Sequence, residues 1–356
     1  MLKTILRLVT ALVFIFSGLV KAIDPVGFSF KLEEYFSPSV FNLPFLEEWA
    51  LPLAVFIVLV EVLLGVALLI GYRLKLTLSL LIALCVFFAF LTFYSAYFQV
   101  VTDCGCFGDA MKLTPWQSFW KDIVLLVFLL VLYKAYYKEN PSSTKAKTIS
   151  LIAVGLITIG LSAKGIVSEP FVDFRDYKIG TDLSAEKQKL QSNPAQYRTV
   201  YHLVHQETGE TKVVGQDDYL NDTSLWEEGS PWSIEQDKTS QEKIKEGYES
   251  EVSKLRLEDR NGNDLTEKIL SSEHVVLLFS YDPSELSNEE RIQAQKKVQG
   301  HPLVYGVSTN LHTFSDLEPL KMDPTAIKTI ARSNPFVVVL HKGVIVEKKP
   351  INEYQP

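Results

Sequence analysis

The chain has 356 residues, enough for two domains, and its formal net charge of −7 conceals a division near residue 170. Before that point charges nearly cancel and long apolar runs dominate; after it the chain carries about −9 and apolar runs shrink to strand length. Runs of about 20 apolar residues exclude a wholly soluble fold, and the absence of a basic patch excludes nucleic acid as a partner.

In chain order, membrane spans are expected near Leu8 to Ile23, Leu51 to Tyr72, Leu76 to Val100, Trp116 to Tyr137 and Thr148 to Val167. A cleaved signal peptide is the alternative for the first, since Lys3 and Arg7 precede it, but Lys21 beside Ala22 makes a poor cleavage site. Lys3, Arg7, Arg73, Lys75, Lys134, Lys138, Lys145 and Lys147 mark one side as cytoplasmic. The segments 24–50 and 101–115, rich in Glu33, Glu34, Glu47, Glu48, Asp103 and Asp109, then lie outside with everything after about residue 168. Tyr94, Tyr97, Trp116, Trp120, Tyr133, Tyr136 and Tyr137 fall near span ends, where interfacial aromatics belong.

Two of the three cysteines form Cys104-Gly105-Cys106 in the short segment between spans three and four. Thiols facing an oxidising compartment tend to pair, and a ring closed across one glycine fits disulfide geometry poorly, which suits a reducible redox pair. It suits a staple less, because so short a loop removes little entropy from the unfolded chain. A structural loop and a partial metal site are the alternatives, the latter short of ligands with no histidine nearby. Cys85 lies 19 residues before Cys104, about 28 Å along a helix, and reads as a small buried hydrophobe. Glu61 near the middle of span two calls for a partner among Arg7, Lys21 and Lys121, or for a role in proton delivery. Asp122, early in span four, is a candidate proton relay or a partner for Lys121.

Arg7 to Pro25 (RLVTALVFIFSGLVKAIDP), Glu61 to Gly71 (EVLLGVALLIG), Asp103 to Asp109 (DCGCFGD), Trp116 and Lys121-Asp122 resemble the DoxX and MauE group of four-helix membrane proteins, over residues 1–137. The cysteine loop is the most specific part. The resemblance implies thiol redox work: MauE is associated with maturation of a disulfide-rich periplasmic enzyme subunit, DoxX relatives with thiol or quinone-linked chemistry. One departure bears on mechanism. Quinone-linked disulfide enzymes of this type generally carry a second cysteine pair, and this chain has none.

Asn140-Pro141-Ser142-Ser143 closes the four-helix unit, and Gly155, Gly160 and Ala163 suggest close packing of the fifth span. Strand-like pieces follow at Arg198 to His205 and Thr211 to Val214 around a Thr208-Gly209-Glu210 turn. His202 and His205 are spaced to face opposite sides of a strand, which disfavours a metal site. From about residue 255 strands and helices alternate: HVVLLFSY, a helix at Asn288 to Gln299, LVYGVS, a helix at Asp323 to Arg332, then FVVVLHKG and VIVEKK as a hairpin. This order looks like a thioredoxin fold with Pro335 before its third strand. Tyr281-Asp282-Pro283-Ser284-Glu285 stands where a redox-active member has Cys-x-x-Cys, so this domain cannot exchange disulfides.

The expected fold is an all-α transmembrane four-helix bundle (1–140), a linker and fifth transmembrane helix (141–170), a connecting region (171–250) and an α/β thioredoxin-like soluble domain (251–356). The expected function is that of an inner-membrane thiol-disulfide protein or accessory subunit in a bacterium. Cys104 and Cys106 are its reactive pair, with Asp122 and Glu61 in support. Its partners would be the lipid bilayer and a periplasmic or envelope protein, with a membrane quinone as the cofactor to test. A non-catalytic envelope scaffold is the rival, and a transporter the weaker third.

Overall fold

The computed structural model describes residues 1–101, 105–139, 144–235 and 238–355, so Cys104, Asp103 and the Asn140 to Ser143 linker lie outside the described residues. The chain divides into two compact units, Met1–Thr181 with Leu255–Pro356, and Asp182–Lys254.

The first unit begins with six helices: α1 (Leu2–Ile23), α2 (Pro25–Phe36), α3 (Ala50–Ile70), α4 (Leu74–Phe98), α5 (Pro115–Tyr136) and α6 (Lys145–Val167). Leu2–Ile23, Pro44–Ile70, Leu74–Phe98 and Lys145–Val167 are long and apolar enough to cross a membrane. Helix α5 has 22 residues but includes Lys121, Asp122 and Lys134, which dilute its apolar run. It nevertheless belongs to the bundle: Leu125, Leu129 and Leu132 pack in one core with Phe14, Leu68, Leu78 and Leu81. The opposite faces, at Leu12, Phe56, Leu80, Phe90 and Leu130, remain exposed, as a surface bathed in lipid requires.

Segment 24–50, which reads from sequence only as an external loop, contains α2 and a 3-10 turn at Pro44–Trp49. Asp24 caps α2 by accepting the Gly27 amide at 2.8 Å, and Pro25 occupies its first position, where no amide is missed. In α6 the buried stripe runs through Gly155, Thr158, Ser162 and Gly165, so Gly160 and Ala163, expected at the contact, face away from it. Three- and four-residue spacing selects the stripe, and those two positions miss it.

The second unit holds α7 (Leu183–Ser192), β1 (Gln196–His205), β2 (Thr211–Gly215), α8 (Gln216–Asn221), β3 (Trp232–Ile234) and β4 (Ser240–Lys245). Strand β1 is its spine: β2 pairs along one edge, while β3 and β4 take the two halves of the other, all antiparallel. Leu203, Val214 and Leu225 form its small core. The His205 ring nitrogen Nδ1 accepts the amides of Glu207 and Thr208, which assigns that side chain to the turn.

The chain then returns to the first unit through α9 (Thr266–Leu270), β5 (Val275–Ser280), α10 (Asn288–Val298), β6 (Val304–Ser308), β7 (Glu318–Lys321), α11 (Pro324–Ile330), β8 (Phe336–His341) and β9 (Val344–Pro350). The sheet order is β7-β6-β5-β8-β9, with β5, β6 and β7 parallel and β8 and β9 antiparallel to their neighbours. The central strand β5 is buried at every position, which is why it reads as an unbroken apolar run. The residues just after α6 complete this part. Asp173 receives the Lys348 ammonium of β9 at 2.6 Å and the Arg175 guanidinium at 2.6 Å, and Gly180 donates to the Ile345 carbonyl at 2.7 Å. Burial pushes the Asp173 carboxyl up, but Arg175 and Lys348 outweigh it and hold it at about 2. Burial and the neighbouring Arg175 lower the Lys348 ammonium to about 8.

Candidate functional site

The site lies inside the helical bundle, where α1 approaches α3 closely. A Cβ at Gly65 would meet the Ile15 backbone nitrogen at 3.0 Å, and one at Gly18 would meet the Val62 side chain at 2.6 Å. That approach brings Lys21 of α1 to 2.8 Å from Glu61 of α3, each side chain 2% exposed. Among the candidates for Glu61, Lys21 is therefore the partner found.

Helix α5 supplies a second ion pair, which α4 packs against. Asp122 is buried, 2.8 Å from the Lys121 ammonium, and receives the Thr92 hydroxyl at 3.4 Å. The Cys85 thiol donates to the Asp122 carbonyl at 3.2 Å. Thr114 starts α5 with a reciprocal capping box to Gln117 and Pro115 in the first turn, fixing where Lys121 and Asp122 fall.

The cysteine loop closes the arrangement. The Cys106 carbonyl accepts the Ser17 hydroxyl at 2.7 Å and the Lys21 ammonium at 3.2 Å, so the loop folds back alongside α1. Gly105 has φ +62°, in the left-handed region that favours glycine, and a Cβ there would lie 3.1 Å from the Lys31 side chain of α2, which would have to shift to admit it. Phe107 receives the Lys121 ammonium over its ring at 5.0 Å. Burial raises the half-buried Cys106 thiol above its ordinary value, against the opposing pull of Lys121.

Lys21, Glu61, Cys85, Cys106, Lys121 and Asp122 line one cavity with room for about one water molecule. Sequence spacing sets Cys85 some 28 Å along the helix from the cysteine loop. The fold-back of the loop removes that separation, so Cys85 faces the same cavity as Cys106. Three of the four expected site residues, Cys106, Asp122 and Glu61, are thus brought together, and Cys104 lies outside the described residues. Sequence reasoning does not single out Ser17 or Cys85 as site residues. Ser17, four residues before Lys21, shares its helix face, which is the available signal.

A cavity of this size does not fit a quinone ring. The buried Lys21–Glu61 pair and the Lys121–Asp122 pair beside two thiols can hold and exchange protons close to sulfur.

A helical region with four membrane-capable helices, followed by sheet-rich parts, makes this a membrane protein with a polar, thiol-lined interior site. Residues 1–135 match the family described as Methylamine utilisation protein MauE. No curated protein and no solved structure matches the chain.

Proposed function

We propose that the protein is a membrane thiol-disulfide exchange protein, or the accessory subunit of one, working through Cys104 and Cys106. The observation that carries this reading is Cys106 beside a buried cavity shared with Cys85 and two ion pairs. A merely structural loop has no need of two costly buried charge pairs. In the exchange, one loop thiolate attacks a sulfur of a partner's disulfide, that S–S bond breaks, one partner sulfur is released as a thiolate and the other stays bound to the loop as a mixed disulfide. The second loop cysteine then resolves the mixed disulfide, so the pair is oxidised as the partner is reduced; the reverse sequence oxidises a partner dithiol. Glu61 and Asp122 take up or return the thiol proton.

The charge asymmetry of the sequence supports a bacterial inner-membrane location with a cytoplasmic N-terminus and a periplasmic C-terminal part. The family description supports an accessory role in methylamine utilisation. The sheet order and the position of Pro335 ahead of β8 support a thioredoxin-like domain for residues 251–356, without thiols of its own. The test is the double variant Cys104→Ser/Cys106→Ser, with the thiol state of exported proteins measured by alkylation. An unchanged thiol profile together with an unchanged phenotype would overturn the exchange reading. The rival reading, a non-catalytic scaffold, is favoured by the thiol-free α/β part and would be supported by a stable partner complex that survives the same variant.

A further inference from the structure

The α/β part meets the bundle at the cysteine loop, and one side chain dominates the contact. Arg332 follows α11, and its side chain is 5% exposed. Its Nε donates to both Asp24 oxygens, at 2.9 and 2.7 Å, its Nη2 donates to Asp109, and its Nη1 donates to the Lys328 carbonyl. The two carboxylates are not incidental. Asp24 caps α2, the helix that covers Gly105, and Asp109 lies three residues beyond Cys106 in the same loop.

Further contacts gather around this centre. Lys328 pairs with Glu33 of α2 at 2.7 Å and stands over the Phe30 ring at 4.5 Å, while Tyr281, just after β5, meets Phe30 edge-on at 5.4 Å. A planar guanidinium bridging two carboxylates in a buried site is geometrically demanding, and removing it leaves both acids without their cation.

We propose that Arg332 is the positioning residue of the cysteine loop, fastening α2 and Asp109 together so that Cys106 is held at its cavity until this clasp opens. This rests on the reading of Cys106 as a reactive thiol. It makes the thiol-free α/β part the element that governs access to sulfur in place of reacting with it. The face presented by Tyr281 and Arg332 is engaged by the protein's own α2 and is closed to an incoming partner in this arrangement.

The experiment follows maleimide labelling of Cys106 in the full-length chain in native membranes, in a Cys104→Ser background. Cys85 is then the only other thiol and reports on the fold. Arg332→Ala and the isosteric Asp109→Asn are each expected to speed Cys106 labelling about tenfold while Cys85 stays protected until the membrane is dissolved and the chain denatured. Arg332→Lys, which keeps the charge but reaches one carboxylate, should fall between those variants and the parent. Unchanged labelling in both Arg332→Ala and Asp109→Asn overturns the proposal. So does acceleration that occurs only together with a lowered thermal midpoint of the detergent-solubilised chain, since that is loss of the bundle and not release of the loop. Failure of the thiol-exchange reading appears separately, as an unchanged thiol profile in the double cysteine variant.

Discussion

Lys21 and Glu61 lie 2.8 Å apart with each side chain 2% exposed, joining α1 to α3 inside the bundle. Removing one partner strands the other charge in a low-dielectric interior, which costs about 3–5 kcal/mol. Glu61→Gln is therefore expected to lower the denaturation midpoint of the detergent-solubilised protein markedly, and Lys21→Met with Glu61→Leu together to recover most of the loss. Below its denaturation midpoint the Glu61→Gln protein is also expected to exchange thiols more slowly, since Glu61 takes up the thiol proton; an unchanged rate there would remove Glu61 from that role.

The close contact at Gly65 sets up that pair. Gly65→Val places its methyl groups against the Ile15 backbone, which cannot yield as a flexible side chain would. Overpacking of this kind costs about 1–3 kcal/mol and widens the α1–α3 spacing on which Lys21 and Glu61 depend. Gly65→Ala should be milder, and the ordering Val worse than Ala is read from thermal midpoints in detergent.

Only the thiolate of Cys106 alkylates, so its rate should rise with pH through a midpoint above that of an ordinary thiol, because burial favours the neutral form. Lys121 opposes that effect, with Lys21 in the same direction and Asp122 and Glu61 against them, while Cys85 faces the thiol from α4. Lys121→Met should move the midpoint higher still. A lower midpoint in that variant would remove Lys121 from the thiol's surroundings.

Asp173 gives the α/β part an acid limit. Its carboxyl, held at about 2 by Arg175 and Lys348, stabilises the fold fully above its unfolded value near 4 and loses that contribution as pH falls toward 2. The contribution is about 2 kcal/mol for a group that is only partly exposed. Asp173→Asn should lower the melting temperature at neutral pH and flatten the decline between pH 4 and 2, as followed by circular dichroism.

Much of this architecture is legible in the chain. The apolar runs mark the helices because lipid offers the backbone no partner, and the unbroken run at Val275 to Ser280 marks a strand covered on both faces. The site is only half legible. Glu61 and Asp122 announce themselves as charges in apolar surroundings, but the fold-back of the cysteine loop depends on tertiary contacts of Ser17 and Lys21 with the Cys106 carbonyl, which no local pattern encodes. Helix α2 is announced by Asp24-Pro25, a cap followed by a first-turn proline, within a segment whose acidic residues draw attention to topology. Strand β7, Glu318–Lys321, carries proline and two charges in four residues and gives no strand signal. Arg332 is invisible locally, since Asp24 lies 308 positions away.

The clasp of Asp173 and Tyr177 on Lys348 also has a consequence for the order of synthesis. The residues after α6 emerge from the ribosome long before the strand that completes them, with the whole of Asp182–Lys254 made in between. At about 5–20 residues per second that wait is on the order of ten seconds or more. During it Asp173 lacks the Lys348 ammonium and keeps the Arg175 guanidinium, which also holds Glu169. The contacts of Arg332 with Asp24 and Asp109 are therefore among the last that the newborn chain can make.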